Sequence, residues 1–265
     1  MAAAAVTATL NFFQPPEDPA EVPYNIAYDV PAGTPTRNFS SVQHEVTVTP
    51  ITTATADSFS LDANGFEFDH RIHEFSDWHD DDKIVQTYYP AVIAAIKDRT
   101  GAADVVVFDH TIRNRHGNRN PVHIVHVDQT TESAAARVRL HRPDDADKLL
   151  TGRFQIINYW KPITGPVEEF PLAFGDASTT TDHDIVAVEH RYRDRTGATG
   201  QVKFNQSQKY YYRPGMTTND AVLLKCYDSK PDVAKRTPHS AFADPSSPEN
   251  PRPRESIEVR TLVFY

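Results

Sequence analysis

A chain of 265 residues, 39% of them hydrophobic and 24% charged, can bury a full core and is not a disordered tail. Its formal net charge of -9 leaves no basic face for nucleic acid or anionic lipid, and no run approaches the ~18 uninterrupted apolar residues of a membrane span. The single cysteine, Cys226, rules out an internal disulfide, and the start Met1-Ala-Ala-Ala-Ala-Val6 lacks the features of a secretory signal, so a cytoplasmic chain with neither nucleic-acid nor membrane partner is expected.

Residues 14–62 read as extended and irregular, punctuated by Pro15, Pro16, Pro19, Pro23, Pro31 and Pro35, with an early strand where Ser41 to Thr49 alternates. Ile84, Tyr88, Val92 and Ala95 recur at helical spacing, so a helix is predicted over Asp81–Arg99, ended by Gly101. Pro90 lies inside it and calls for a kink or two shorter helices. A strand follows at Val105–Phe108 and another at Val122–Val127. Helices are expected at Glu132–Leu140, opened by Thr130 and Thr131, and at Ala146–Leu150 after Pro143. The remaining apolar runs read as strands: Arg153–Trp160, Asp184–Tyr192, Val202–Phe204, Lys209–Arg213, Ala221–Tyr227 and Ser256–Tyr265. Strands in succession without intervening helices argue against a parallel α/β sheet. The pattern points to a mainly β fold with flanking helices, an antiparallel sandwich or jelly roll, in one domain.

Twelve histidines make any single one uninformative. The useful ones have a carboxylate on the same face of a strand. His126-Val-Asp128 meets that test, because residues i and i+2 of a strand project together. With one distant histidine, such a pair makes the two-His-one-carboxylate triad that holds Fe(II) and leaves positions open for reactants. His239, in Pro238-His-Ser-Ala-Phe242, supplies the distant imidazole. His123 reads as a neighbour rather than a ligand, and His70 and His73 as part of a solvated polar segment. Downstream, Arg254-x-Ser256 puts a guanidinium and a hydroxyl on one strand face, suited to a carboxylate, and Arg260 shares their parity. On an edge strand both arginines would be plain surface charges.

Taken in order, His126-x-Asp128, Asn158-Tyr-Trp-Lys-Pro162, Lys225-Cys-Tyr-Asp-Ser229, Pro238-His-Ser-Ala-Phe242 and Arg254-Glu-Ser-Ile-Glu-Val-Arg260 resemble the AsaB/CmcJ-type hydroxylase/desaturase family of fungal secondary metabolism. That family includes a gibberellin desaturase, and the matching blocks span about 120 to 265. The resemblance implies a double-stranded β-helix (jelly roll, cupin-like) over residues 1–265, with an extended, helix-containing N-terminal region to about residue 100. It implies a non-haem Fe(II) oxygenase that uses 2-oxoglutarate and O2 to oxidise an unactivated C–H bond of a small molecule, by hydroxylation, desaturation or oxidative cyclisation. His126, Asp128 and His239 match the metal ligands. Arg254 with Ser256 matches the position that holds the far carboxylate of 2-oxoglutarate. Arg254 follows His239 by 15 residues, a longer gap than in many such enzymes, which keeps Arg260 as an alternative anchor.

Asn158, Trp160 and Lys161 are expected to line the substrate pocket, with Trp160 equally suited to filling the core. Lys161 stands where relatives often carry Arg, and Gly175-Asp176 where many show Cys-Asp. Cys226, inside an apolar strand, reads as an inert thiol. A homodimer is compatible with the sequence. Two rival functions are a catalytically silent jelly-roll binding protein and a metal-dependent hydrolase, the latter lacking any His-Glu-x-x-His motif.

Overall fold

The computed structural model describes residues 4–18, 20–71, 74–114 and 120–265, so His73 lies outside the described residues. The chain opens with β1 (Val6–Gln14), β2 (Tyr24–Ile26), β3 (Ser40–Pro50), a single turn α1 (Thr53–Ala56) and β4 (Phe66–Asp69). A broken helix follows: α2 (Asp81–Lys83), a π-helical turn (Ile84–Tyr88) and α3 (Tyr89–Thr100). Then come β5 (Asp104–Arg113), β6 (His126–Val127), α4 (Thr131–His141) and α5 (Ala146–Leu149). The C-terminal half is almost all strand: β7 (Phe154–Pro162), β8 (Leu172–Gly175), β9 (Ile185–Arg191), β10 (Thr196–Val202), β11 (Tyr210–Tyr212), β12 (Ala221–Asp228), β13 (His239–Ala241) and β14 (Ser256–Phe264).

The break expected at Pro90 is present, and its cause is clear. Pro90 has no N–H to give the preceding turn, and the helix accommodates it with a π turn immediately upstream, so that Pro90 falls in the first turn of α3. Gly101 ends α3 at φ 69°, a left-handed cap that a glycine takes without steric cost. Thr130 caps α4 reciprocally: its hydroxyl accepts from Ser133 N at 3.1 Å, and Ser133 Oγ accepts from Thr130 N at 2.9 Å.

Two sheets carry the fold. Five antiparallel strands run in the order β4-β12-β7-β14-β5, and nine strands in the order β1-β3-β11-β8-β13-β6-β10-β9-β2. The larger sheet is antiparallel apart from β3–β11 and β2–β9. It curls until β1 meets the segment ahead of β6, where Val125 N donates to Asn11 O at 2.8 Å. This is the jelly-roll arrangement of a double-stranded β-helix.

β7 and β12 are buried along their whole lengths, because the smaller sheet is covered on both faces. On its outer face Ile157, Tyr159, Leu223, Ile257 and Val259 pack against Val92, Ala95 and Ile96 of α3. Full burial of side chains such as Val92 and Ile96 contributes about 1.5–3 kcal/mol each. On the inner face Phe154, Ile156 and Leu262 meet Ala134 and Val138 of α4, while Trp160, Val222 and Leu224 meet Phe66, Phe68 and Phe174. Even-numbered residues of β7 and β14 therefore look into the roll and odd-numbered ones look out.

Several strands differ from expectation. β1, β2, β4, β8 and β13 were not anticipated, only Val202 of the expected Val202–Phe204 is strand, as the last residue of β10, and Val122–Val127 contracts to β6. β5 in turn runs five residues past Phe108 to Arg113, which matters for the site.

Candidate functional site

β6 and β13 are neighbours in the larger sheet, and the only pair in their register is His126 opposite His239. The two rings lie side by side, with centroids 4.4 Å apart. Asp128, two residues along from His126, returns to the same face. One donor atom from each of the three falls within 4.8 Å of the others, the one such cluster among the described residues.

The outward edges of these three side chains are already satisfied. His126 Nδ1 meets Ile124 O at 2.8 Å, and His239 Nδ1 meets Thr237 O at 3.0 Å. A carbonyl accepts only, so each ring carries a proton on Nδ1 and turns Nε2 inward, the nitrogen that can bind a metal once it is unprotonated. There Nε2 of His126 and of His239 stand 3.4 and 3.8 Å from Asp128 Oδ1. The second carboxylate oxygen, Oδ2, accepts from Asn158 Nδ2 at 2.6 Å and faces Cys226 Sγ at 3.7 Å. Two imidazole nitrogens and one carboxylate oxygen converge with their other edges tied back, a donor set that suits a divalent first-row metal with open positions.

The electrostatics agree. Burial alone would raise the Asp128 carboxyl, but the hydrogen bond from His126 and the charges of His239, His126 and Arg260 hold it well below the usual carboxylate range. Burial pulls His126 down and its bond to Asp128 more than compensates, so its imidazole stands above the ordinary value. His239 is pushed down, by burial and then by His126.

A cavity of about 40 Å³ opens beside the triad, lined by Arg113, Trp160, Leu172, Arg254, Glu258 and Arg260 among others. Two roomier surface clefts, of about 540 and 480 Å³, hold none of these groups, so volume does not mark the chemistry. Arg254 is 6% exposed, lies over the Trp160 ring at 5.8 Å and donates through Nη1 to Phe170 O. Burial, then the nearby charge of Arg113, lowers its guanidinium to about 10. Its Nε and the Oγ of Ser256 are buried without a hydrogen-bond partner. Arg260 is saturated: it donates to Asp109 Oδ1 at 2.9 Å, to Thr111 Oγ1 at 3.0 Å and to Glu258 Oε1.

Of the three residues expected in the substrate pocket, Asn158 supports Asp128, and Trp160 both fills the core and lines the cavity. Lys161 has odd parity on β7. It is 2% exposed on the face shared with Tyr159, its ammonium pushed down by burial against the opposing pull of Asp69 and Asp220, and it does not line the cavity. His123 packs edge-on against Phe170, with ring centroids 4.7 Å apart, hydrogen-bonds the backbone of Ala241 in β13 and is not part of the triad cluster. His70 pairs with Asp220 at 3.4 Å. Arg113 escaped the sequence reading because the predicted strand stopped at Phe108. Continued alternation along β5 was the signal that could have found it.

Residues 10–264 match the model of a family described as an oxidoreductase/YMDC permease-like domain. The hydroxylase/desaturase poxK of Penicillium oxalicum is 30% identical over 98% of this chain and 91% of its own. The Fe(II)/2-oxoglutarate-dependent dioxygenase nvfI of Aspergillus novofumigatus is 33% identical over 78% of this chain and 79% of its own. A solved structure of a variant of the iron and alpha-ketoglutarate-dependent endoperoxidase NvfI superposes with a TM-score of 0.92 at 29% identity, over 100% of this chain and 98% of that one.

Proposed function

The chain belongs to the hydroxylase/desaturase family of Fe(II)/2-oxoglutarate-dependent oxygenases, and from that premise we propose that His126, Asp128 and His239 hold the iron while Arg254 and Ser256 hold the far carboxylate of 2-oxoglutarate. The enzyme is a dioxygenase that requires Fe(II), 2-oxoglutarate and O2 and oxidises a C–H bond of a small molecule in secondary metabolism. The observation that carries the site assignment is the convergence of three donor atoms whose remaining edges are occupied by Ile124 O, Thr237 O and Asn158 Nδ2.

When bound, the iron supplies activation of O2, with 2-oxoglutarate consumed as the co-reductant. The chain's own residues do the rest. The carbonyls of Ile124 and Thr237 fix both imidazoles in the tautomer that ligates through Nε2. Asn158 occupies Asp128 Oδ2 and so presents Oδ1 alone to the metal. Between Arg254 and Arg260 we choose Arg254 as the anchor, since its Nε and Ser256 Oγ are the unfilled donors, whereas Arg260 is consumed by Asp109, Thr111 and Glu258. Trp160, Leu172 and Val122 give an otherwise charged cavity its apolar part, against which a hydrocarbon substrate could be positioned. On this reading residues 1–265 form one oxygenase domain, working in the cytoplasm without nucleic-acid or membrane partners.

Iron loading tests the assignment. His126→Ala and His239→Ala should each lose bound Fe(II) and turnover while keeping the fold, and full iron content in either variant would remove that residue from the ligand set. A silent binding protein would bind 2-oxoglutarate analogues without consuming O2, and a hydrolase would need neither.

A further inference from the structure

We infer that Arg113 is a second cation of the cosubstrate pocket, gripping the far carboxylate of 2-oxoglutarate together with Arg254 and Ser256; this rests on the pocket assignment proposed above. The strand register supplies the first argument. β5 and β14 are antiparallel, with Arg113 directly opposite Ser256, Thr111 opposite Glu258 and Asp109 opposite Arg260. Opposed residues share a face. The inner face of β14 is the one that carries Ser256 and Glu258 toward the triad, so Arg113 projects there too, and it lines the same cavity as His126, Arg254 and Glu258.

Charge supplies the second argument. After burial, Arg113 is the largest influence pushing the Arg254 guanidinium down, the signature of two like charges at close range. The charges of Glu258 and Glu169 offset part of that repulsion, and Glu169 also accepts from the Arg254 backbone N–H, while the guanidinium itself meets the Phe170 carbonyl and the Trp160 ring. Glu258, the anion nearest at hand, is tied to Arg260. Arg113 donates from Nη1 to the backbone oxygen of Asn120 at 2.8 Å. Two guanidinium groups bordering a small cavity, beside a buried Nε and a buried Oγ that lack acceptors, are stabilised by an anion with two oxygens. The far carboxylate of a keto diacid is that anion.

The site should therefore distinguish a diacid from a monoacid, and Arg113 should be part of the reason. The test is an anaerobic titration of the Fe(II)-loaded protein, following the charge-transfer band that a chelating keto acid gives, with 2-oxoglutarate and with 2-oxobutyrate, which lacks the far carboxylate. Arg113→Gln should weaken 2-oxoglutarate about 10- to 100-fold, the range expected for loss of a charge-assisted bond, and leave 2-oxobutyrate unchanged. Arg113→Lys, the milder change on the strand, keeps the charge and should retain part of the preference for the diacid. An unchanged 2-oxoglutarate titration in the Gln variant would overturn the inference. So would equal weakening of both acids in both variants, which would mean that Arg113 acts on the fold. If the wild-type protein gave a band with neither acid, the failure would lie with the pocket assignment itself.

Discussion

Asn158→Ala isolates the contact that, on the proposed reading, leaves Asp128 one oxygen for the metal. Asn158 is fully buried and donates to Asp128 Oδ2 at 2.6 Å. A hydrogen bond to a charged acceptor in such a place contributes about 1.5–3 kcal/mol, and Cys226 at 3.7 Å is too weak a donor to replace it. Partners of this kind typically govern 10–100-fold in metal affinity, which at about 1.4 kcal/mol per tenfold is the same interval. Calorimetric titration of the metal-free protein with Mn(II), a stand-in that does not oxidise, reads the effect directly. Asn158→Ala should bind about 10–100-fold more weakly, and because the bond is already present without metal its metal-free Tm should also fall by several degrees. Asn158→Asp should bind differently again, since two carboxylates at that separation cannot both ionise and a proton must be held between them. Affinity within twofold of wild type for Asn158→Ala would refute the argument that the amide sets the carboxylate.

Three further outcomes are expected. Arg254→Ala should raise the 2-oxoglutarate concentration needed for half-maximal turnover while changing Tm little, whereas Arg260→Ala should lower stability by about 2–3 kcal/mol; that is below the usual 3–5 for a broken buried pair because the side chain of Asp109 is 42% exposed. The reverse pattern, read by kinetics and urea midpoints together, would transfer the anchor to Arg260. Acid unfolding should involve Asp228, whose side chain is fully buried against Lys225 at 2.7 Å, Arg153 at 2.8 Å and Gln155 at 2.7 Å. Burial would raise its carboxyl, but the bonds from Arg153 and Lys225 bring it below the ordinary value, so its contribution is complete above the unfolded value of about 4 and is lost as pH falls through the folded one. The urea midpoint of Asp228→Asn should thus lie below wild type at pH 7 and converge with it in acid, and parallel curves would contradict this. Pro90→Ala should restore an N–H to the helix and leave activity unaltered, checked by turnover and far-UV dichroism, since α3 packs on the outer face of the smaller sheet, away from the cavity.

Much of the frame could be read from the residues because long apolar runs such as those of β7, β12 and β14 are buried on both faces and leave no doubt about strand character. β8 and β13, only four and three residues long, carry no such signal, since they are set by their neighbours rather than by local preference. Alternation alone put His126 and Asp128 on one face; His239 could be nominated as the distant imidazole but no local signal ties it to them, because its pairing with β6 joins distant parts of the chain. Alternation also placed Arg254 and Arg260 on one face and could not separate them. What separates them is Asp109, brought opposite Arg260 by β5, and strand pairing of that range is not written in local sequence. Lys161 is the converse case: its odd parity beside Asn158 and Trp160 already pointed it to the other side of the sheet, where it lies.

The most direct test of the account is the anaerobic visible spectrum of the protein with Fe(II), before and after 2-oxoglutarate, in wild type and in His239→Ala. The account predicts a weak charge-transfer band that appears on adding the acid to wild type and is missing from the variant. A band of full strength in His239→Ala, or none in iron-loaded wild type, would contradict it.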